Sequence, residues 1–202
     1  MGGAVHEGDA AAAVLAALGP DTDLFVSSSM PVRDLDAFGM PRPDGVRVHG
    51  NRGASGIDGI VSTAFGIASQ RDRPIVCLLG DIAFFHDRNG LLWSRENDAP
   101  VVFVLIDNDG GAIFHRLPIA GFDPEFTELF ATPHGVDPAP VAESHGIPIE
   151  TVEIDGLTEA VEAALARART EVVRVQTDRV QNQHRHAEVE ETVLRSVRVA
   201  LG

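Results

Sequence analysis

The sequence predicts an α/β fold: a doubly wound, mostly parallel sheet with helices on both faces. Two continuous apolar runs, residues 74–79 and 101–106, have the length of strands but show no alternation of apolar and polar residues. Such runs are typical of strands that are covered on both faces. A segment that can form a helix lies between them, which predicts a βαβ unit. Strand-like and helix-like segments alternate along the rest of the chain and extend this unit to a doubly wound sheet.

The other elements follow from apolar spacing and from residues that end helices. An alanine-rich segment ends at Gly19 and Pro20, which do not continue a helix. Between Ile57 and Ala68 the apolar residues recur at helical spacing after a glycine-rich turn. Segment 121–134 is expected to be a loop. The predicted helices span residues 10–18, 31–38, 57–69, 88–97, 140–145, 158–168 and 187–201, and the predicted strands span 24–27, 47–49, 75–79, 101–106, 150–153 and 171–176.

The chain is expected to form one domain, residues 1–180, followed by a polar C-terminal tail, residues 181–202, that contains a helix. A length of 202 residues suits a single domain with a substantial core. The tail contains His184 and His186, and we expect both to be exposed polar residues and not metal ligands.

Composition predicts a protein of the reducing cytoplasm. Cys77 is the only cysteine, so no intrachain disulfide is possible, and its place inside an apolar strand predicts a buried thiol. No apolar stretch reaches the roughly 18 residues of a spanning helix, so membrane insertion is not expected. Residues 1–10 carry no basic n-region, and we do not expect a signal peptide there.

The overall charge is strongly negative. All 16 basic residues are arginine, against 30 acidic residues, for a formal net charge of −14. Binding to nucleic acid or to an anionic membrane needs a basic surface, so neither partner is expected. A large acidic excess suits a halophilic protein, in which concentrated salt screens the repulsion. A genome that prefers arginine codons also explains the absence of lysine, whereas the acidic excess favours the halophilic explanation.

Polar side chains follow the two central apolar runs. Gly80 and Asp81 come directly after the first run, and Asn108 follows the second, 27 positions after Asp81. The carboxyl ends of neighbouring parallel strands meet at one edge of a sheet, where ligands bind. Carboxylate and amide oxygens suit Mg²⁺, which prefers oxygen ligands and binds together with substrate phosphates. The alternative is a pair of solvated turns at the strand ends.

A glycine-rich turn precedes the predicted helix at 57–69. Its sequence, NRGASGIDG, spans residues 51–59. The start of a helix offers free N–H groups and the positive end of its dipole to an anion. This turn is therefore a candidate anion-binding segment.

Several motifs resemble those of thiamine-diphosphate enzymes. In that family a Gly-Asp pair opens the metal–diphosphate motif and an asparagine closes it, as Gly80, Asp81 and Asn108 would here. NRGASGIDG, DGGAIFHRLP at 109–118 and TPHGVD at 132–137 are similar to one branch of the family. This branch is the 2-succinyl-5-enolpyruvyl-6-hydroxy-3-cyclohexene-1-carboxylate synthases (MenD) of menaquinone biosynthesis.

The resemblance implies a thiamine-diphosphate-binding fold that holds its cofactor through Mg²⁺ or Mn²⁺. Asp81 and Asn108 would be side-chain ligands of the metal, and Gly110 would supply a backbone carbonyl. Two positions depart from the usual motif, because Ile82 replaces a glycine and Asp107 replaces an asparagine. The other residues that the resemblance places at the cofactor are Ser55, Ile57, Gly80, Ile82, Gly111 and Ile113.

The resemblance also implies two substrates, 2-oxoglutarate and isochorismate. The family decarboxylates 2-oxoglutarate on thiamine diphosphate and adds the succinyl-semialdehyde carbanion equivalent to isochorismate. Ser29, Arg33 and Arg52 match residues that bind isochorismate, and arginine pairs bidentately with carboxylates. Phe114 and Leu117 would line the apolar wall of the substrate pocket. For Arg33 the alternative is an ordinary solvated residue of a helix.

Enzymes of this family also carry a pyrimidine-binding domain and a central domain. The glutamate that activates the cofactor lies in the pyrimidine-binding domain, so the resemblance implies no catalytic residue in this chain and no activity of the chain alone. We expect a homo-oligomer, a dimer or a tetramer, that includes the pyrimidine-binding domain of the same enzyme. The alternatives are a subunit of another split thiamine-diphosphate decarboxylase, of the sulfopyruvate type, and a non-catalytic Mg²⁺-binding domain.

Overall fold

The computed structural model describes residues 6–71, 73–95 and 100–202. They form a six-stranded parallel sheet with helices on both faces, so the predicted fold class is confirmed. The strands are β1 (Asp23–Val26), β2 (Arg47–Gly50), β3 (Ile75–Gly80), β4 (Val101–Asp107), β5 (Ile149–Thr151) and β6 (Glu171–Gln176). Across the sheet they lie in the order β2-β1-β3-β4-β6-β5. The helices are α1 (Glu7–Ala17), α2 (Met30–Phe38), α3 (Ile60–Ala68), α4 (Asp81–His86), α5 (Ala139–Ser144), α6 (Leu157–Arg167) and α7 (Arg179–Leu201).

The sheet divides the core into two layers. In β3, Val76 and Leu78 face the layer that α1 and α6 cover, and Ile75, Cys77 and Leu79 face the layer that α3 and α4 cover. Successive side chains of a strand point to opposite faces. Residues 75–79 of β3 and 101–106 of β4 are therefore all apolar because both faces of these strands are covered.

The register of the central strands brings their carboxyl ends together. Ile75 lies opposite Val101, and Gly80 lies opposite Ile106. On the other side of β3 lies β1, from which the chain runs outward to β2 before it returns to β3, so the strand order reverses between β1 and β3. The segments that follow β1, β3 and β4 consequently meet at one edge of the sheet.

Two predicted helices differ from the observed ones around this edge. α3 begins at Ile60 and not at residue 57, because Gly59 before it has a left-handed φ of 65°. The predicted helix at 88–97 is a 3₁₀ helix, Arg88–Arg95, and it is preceded by α4, a short helix that was not predicted and that begins directly after β3. The predicted end of that helix, at residue 97, lies outside the described residues.

The segment predicted as a loop, 121–134, contains one π-helical turn, Thr127–Ala131. Asp123 supports this turn, because its Oδ1 accepts hydrogen bonds from the N–H of Thr127 at 3.2 Å and from the hydroxyl of Thr127 at 2.7 Å. Phe126 is buried within the same segment. Proline residues in the sequence marked the loop correctly but carried no signal for the turn inside it.

The C-terminal helix starts earlier than predicted. α7 begins at Arg179, and the predicted start was residue 187. Asp178 caps the helix, because its Oδ1 accepts hydrogen bonds from the N–H groups of Val180 and Gln181 at 2.9 and 2.8 Å. Aspartate is among the preferred residues at this position, so the earlier start has a local cause.

The first two turns of α7 pack against the domain. His186 is 5% exposed, so the prediction that it is an exposed polar residue is wrong, whereas His184 is exposed as predicted. The ring centroid of His186 lies 4.5 Å from that of His6, and its Nε2 lies 3.3 Å from Oδ1 of Asp34. Neither α7 nor any other helix of the described residues is long and apolar enough to cross a membrane.

Candidate functional site

A cavity of about 390 Å³ lies at the carboxyl ends of β1, β3 and β4. In doubly wound sheets ligands bind at this edge, where the strand order reverses. Residues that follow the three strands line the cavity together with the loop between β2 and α3. The lining includes all of the residues that the resemblance placed at the cofactor: Ser55, Ile57, Gly80, Asp81, Ile82, Asn108, Gly110, Gly111 and Ile113.

Three of the five residues predicted to bind substrate lie at the same cavity. Ser29, Arg33 and Phe114 belong to its lining, and Nη1 of Arg33 donates a hydrogen bond to the backbone carbonyl of Ser29. Arg52 is an exposed residue of the loop between β2 and α3 and lies outside the lining. Leu117, which is 48% exposed, also lies outside it. The geometry therefore groups Arg33 with the predicted cofactor residues and leaves Arg52 and Leu117 apart.

Asp81 is buried at the start of α4 and joins two loops. Its Oδ1 accepts a hydrogen bond from the N–H of Ile82 at 2.6 Å, and its Oδ2 accepts one from the N–H of Gly110 at 3.0 Å. Nε2 of His134 lies 3.2 Å from the same Oδ2. Burial raises the pKa of the Asp81 carboxyl, and the hydrogen bonds from Gly110, Ile82 and His134 offset part of that effect. A cation beside this carboxyl group would favour its charged form.

Two glycines allow the loop after β4 to pass close to the backbone of the π-helical turn. Gly110 has a φ of 136°, which residues with a side chain rarely adopt. A Cβ at Gly110 would lie 2.2 Å from the carbonyl oxygen of Ala131, and a Cβ at Gly111 would lie 2.4 Å from that of Phe130. The N–H of Gly111 donates a hydrogen bond of 2.7 Å to the carbonyl of Ala131. Close backbone contact therefore explains why both positions are glycine.

Asn108 is buried directly after β4 and offers an unpaired oxygen. Its Nδ2 donates a hydrogen bond to Oε1 of Glu7 at 2.9 Å, and its backbone carbonyl accepts one from Arg179 at 2.9 Å. Within the described residues its Oδ1 is buried and has no hydrogen-bond partner. A buried acceptor that stays unsatisfied costs roughly 1–3 kcal/mol, so a ligand that binds this oxygen would be stabilising.

Asp81 and Asn108 together fit a hard divalent cation. They follow adjacent parallel strands, and they contribute a carboxylate and a free amide oxygen. A carboxylate has about four acceptor positions, and Asp81 uses three of them in the contacts described above, so one position remains. Mg²⁺ and Mn²⁺ prefer oxygen ligands of this kind.

His134, Asp107 and Asp81 form another group of possible metal ligands, in which one ligand atom of each residue lies within 4.8 Å of the others. Asp107, however, is paired with Arg174, whose Nε donates to its Oδ2 at 2.7 Å and whose Nη2 contacts the same oxygen. Both side chains are largely buried, and a buried charge that loses its partner is strongly destabilising. We therefore assign Asp107 to this ion pair and not to a cation site.

Sequence reasoning did not identify Glu7 as a residue of this site. Glu7 is 3% exposed, lines the cavity and contacts Asn108, which lies 101 positions away in the chain. An acidic residue in the first turn of a helix is explained by the helix dipole alone. No local pattern therefore distinguishes this buried carboxyl group from an ordinary exposed one.

Curated proteins named 2-succinyl-5-enolpyruvyl-6-hydroxy-3-cyclohexene-1-carboxylate synthase are similar to much of the chain. The one from Halobacterium salinarum is 47% identical over 186 residues, which are 92% of this chain and 32% of the relative. The one from Halorubrum lacusprofundi is 51% identical over 159 residues, 79% of this chain and 25% of the relative. The one from Roseiflexus castenholzii is 50% identical over 147 residues, which are 72% of this chain and 24% of the relative. The chain thus spans a quarter to a third of the length of these relatives.

Two solved structures share the fold of this chain, and a family description matches most of its length. A putative thiamin diphosphate-dependent enzyme from Mycobacterium smegmatis has a TM-score of 0.65 at 22% identity, over 86% of this chain and 32% of that chain. Benzoylformate decarboxylase from Polynucleobacter necessarius has a TM-score of 0.70 at 21% identity, over 87% of this chain and 33% of that chain. At such identities the two structures show the fold alone. The family described as "Thiamine pyrophosphate enzyme, C-terminal TPP binding domain", TPP being thiamine diphosphate, matches residues 36–175. The chain therefore belongs to the thiamine pyrophosphate enzymes and contains their C-terminal TPP-binding domain.

Proposed function

We propose that the chain is the diphosphate-binding part of a 2-succinyl-5-enolpyruvyl-6-hydroxy-3-cyclohexene-1-carboxylate synthase. In this proposal the enzyme decarboxylates 2-oxoglutarate on thiamine diphosphate and adds the succinyl-semialdehyde carbanion equivalent to isochorismate. The similarity to relatives of that name, 47% over 92% of the chain, is the observation that supports it most strongly. The split sulfopyruvate-type decarboxylase and the non-catalytic domain have no comparable support.

Mg²⁺ or Mn²⁺ would hold the cofactor's diphosphate at the edge formed by β3 and β4. Asp81 and Asn108 would supply side-chain oxygens, and Gly110 would supply its backbone carbonyl. The free acceptor position of Asp81 and the unpaired Oδ1 of Asn108 support this assignment. Such cations also bind phosphate oxygens of the substrate or cofactor, which is the role proposed for this cation.

The chain's own residues would bind and orient the cofactor. Bound thiamine diphosphate supplies the electron sink for decarboxylation, and the protein supplies position and electrostatics. Ile57 and Ile113 are half-buried residues of the cavity lining and offer apolar contact to the cofactor. The remaining cofactor residues, each of which lines the same cavity, are Ser55, Gly80, Ile82 and Gly111.

Isochorismate would bind on the side of the cavity formed by α2. Arg33 uses one nitrogen of its guanidinium group, Nη1, to donate to the carbonyl of Ser29, and its other donors remain available for a carboxylate. Phe114 offers an apolar contact at the same cavity. Arg52 and Leu117 belong to the proposed substrate site through the resemblance alone, because both lie outside the cavity lining.

The proposed enzyme also needs a pyrimidine-binding domain that carries the activating glutamate. We propose that this domain comes from the same enzyme in a homodimer or homotetramer, and "assembled enzyme" below means this chain together with the domains that complete it. Trp93, Phe122 and Leu129 are 57%, 63% and 70% exposed, which suits surfaces that other domains cover. The buried free thiol of Cys77 suits a reducing cytoplasm, and the net charge of −14 suits a halophilic cell.

Turnover by the assembled enzyme tests this function. We expect CO₂ release from 2-oxoglutarate and, when isochorismate is added, a coupled product that mass spectrometry detects. The 202-residue chain alone should show neither reaction, because the resemblance places the activating glutamate in the pyrimidine-binding domain. Turnover of sulfopyruvate without any use of isochorismate would contradict the proposal and favour the split decarboxylase.

A further inference from the structure

A buried carboxyl group from the first turn of α1 contacts the proposed cation ligand Asn108. Oε1 of Glu7 accepts a hydrogen bond from Nδ2 of Asn108 at 2.9 Å and another from the hydroxyl of Thr177 at 2.8 Å. Glu7 is 3% exposed and Asn108 is 8% exposed, so water does not compete for these bonds. The other end of the Asn108 amide, Oδ1, has no partner among the described residues.

The contact with Glu7 favours one orientation of this amide. A carboxylate oxygen accepts a hydrogen bond from an amide nitrogen but repels an amide oxygen. A half-turn of the Asn108 side chain would therefore place two acceptors against each other and leave Nδ2 at the position of the cation. Burial raises the pKa of Glu7, but the oxygen that already accepts two hydrogen bonds favours Nδ2 in either protonation state.

The segment around the start of α7 holds both members of this contact. Thr177 donates to Glu7 as described, and Oδ1 of Asn182 accepts a hydrogen bond from the backbone N–H of Glu7 at 3.0 Å. Arg179 donates to the backbone carbonyl of Asn108 at 2.9 Å. The backbone of Asn108 and the carboxyl group that orients its side chain are thus anchored by the same short segment.

We propose that Glu7 is a positioning residue for the cation site: it orients the side chain of Asn108 so that Oδ1 is the free ligand. This proposal rests on the cation site of the proposed function and adds a residue to it that lies outside the resemblance. Glu7 acts through Asn108 and does not itself serve as a ligand. Partners that orient a metal ligand typically change metal affinity by about 10–100-fold when they are removed.

The affinity of the assembled enzyme for Mn²⁺, measured by electron paramagnetic resonance with thiamine diphosphate present, tests this role. Glu7→Leu keeps the apolar bulk but removes the acceptor, and we expect Mn²⁺ affinity to fall about 10–100-fold. Glu7→Gln keeps an acceptor oxygen and should lose clearly less, under about tenfold. Asp9→Leu removes an exposed carboxylate from the same turn and should match the wild type.

A double-mutant cycle distinguishes positioning from general support of the fold. Once Asn108→Ala has removed the amide, Glu7→Leu should weaken Mn²⁺ binding no further, because the two residues act through one contact. Losses that multiply in the double variant, or a Glu7→Leu variant that binds Mn²⁺ as the wild type does, would overturn the proposal.

A second pair keeps the test decisive if Glu7→Leu does not fold. Asn108→Asp places a carboxylate against Glu7, and adding Glu7→Gln supplies an N–H to it, so E7Q/N108D should bind Mn²⁺ more tightly than N108D. An equal or lower affinity would overturn the proposal, because removing a negative charge otherwise weakens cation binding. These measurements do not depend on turnover, so a wrong substrate assignment would leave them unchanged. If the wild-type assembled enzyme shows no cation-dependent binding of thiamine diphosphate, both proposals are overturned.

Discussion

The backbone N–H of Gly110 donates a hydrogen bond of 3.0 Å to Oδ2 of Asp81. Gly110 follows β4 and Asp81 follows β3, so this bond joins the ends of the two central strands. The loop that contains Gly110 also lies close to the carbonyl oxygen of Ala131. With a φ of 136° and no side chain, Gly110 can donate to Asp81 and still leave room for that oxygen. The position of the carboxylate at the candidate cation site therefore depends on a glycine conformation 29 residues later in the chain.

Gly110→Ala should destabilise the protein. The new Cβ would lie 2.2 Å from the carbonyl oxygen of Ala131 in an unfavourable backbone conformation, and we expect a loss of about 1–3 kcal/mol in the free energy of unfolding. Urea unfolding monitored by circular dichroism measures it. Gly66→Ala is the control, because Gly66 lies in α3 with nothing within 4 Å of an added Cβ. Gly66→Ala should raise the free energy of unfolding by roughly 0.5–1 kcal/mol. Equal effects of the two substitutions would contradict the steric explanation.

The pH dependence of stability should report on Asp109. Burial opposes its charge, but hydrogen bonds from the N–H groups of Gly135 and His134 and from Arg179 outweigh burial and lower the pKa of Asp109. A lowered folded-state pKa means that the carboxylate stabilises the fold above the unfolded-state pKa of about 3.9. This contribution is lost as the pH falls through the folded-state pKa.

Asp109→Asn should therefore be less stable than the wild type near neutral pH, with a difference that shrinks as the pH falls below about 4. Urea midpoints across that range measure the difference. Asp155→Asn, at an exposed position in another part of the chain, is the control and should show little difference at any pH. A difference for Asp109→Asn that stays constant with pH would argue against a role for its charge.

Arg33→Ala in the assembled enzyme should raise the KM for isochorismate more than that for 2-oxoglutarate. A charge-assisted contact with a carboxylate contributes roughly 1.5–3 kcal/mol, which corresponds to about ten- to a hundredfold. Arg52→Ala tests the residue that the resemblance placed in the same pocket but that lies outside the cavity lining. Arg198→Ala, on the exposed part of α7, is the control. If the KM values for both substrates rise equally, the arginines support the fold or the binding of the cofactor and do not bind isochorismate.

The melting temperature should rise with KCl concentration. The chain has 30 acidic residues against 16 arginines, so like charges repel at low ionic strength. The Debye length falls from about 10 Å at 0.1 M salt to about 3 Å at 1 M, which removes most of this repulsion. Lysine in place of the exposed Glu125 and Glu128 should lower the salt that folding requires. A melting temperature that does not change with KCl would leave arginine codon preference as the explanation of the composition.

The central strands were predictable because a strand covered on both faces has an apolar residue at every position. The run at 74–79 begins and ends one residue before β3, and the run at 101–106 ends one residue before β4. The parallel pairing of these strands brings Asp81 and Asn108 to one edge of the sheet. Gly110 and Gly111 were placed at the site by the resemblance alone, because the contacts that require glycine there are with the distant carbonyls of Ala131 and Phe130. Local sequence thus predicted the parts of the fold and the site that local physics determines.

Contacts between distant segments could not be predicted in this way. Glu7 and Asn108 meet because α1 packs beside the end of β4, and His186 is buried because α7 returns to α1 and α2. Neither residue has a neighbouring pattern that reports its partner. The start of α7 was different, because Asp178 is a readable helix cap that the prediction missed.

The binding of thiamine diphosphate to the assembled enzyme, measured by isothermal titration calorimetry with and without Mg²⁺, tests the central claim most directly. If Asp81 and Asn108 hold the cation that anchors the diphosphate, Asp81→Ala should lose the Mg²⁺-dependent binding, and EDTA should cause the same loss in the wild type. Cofactor affinity that is the same in Asp81→Ala and the wild type would contradict the account.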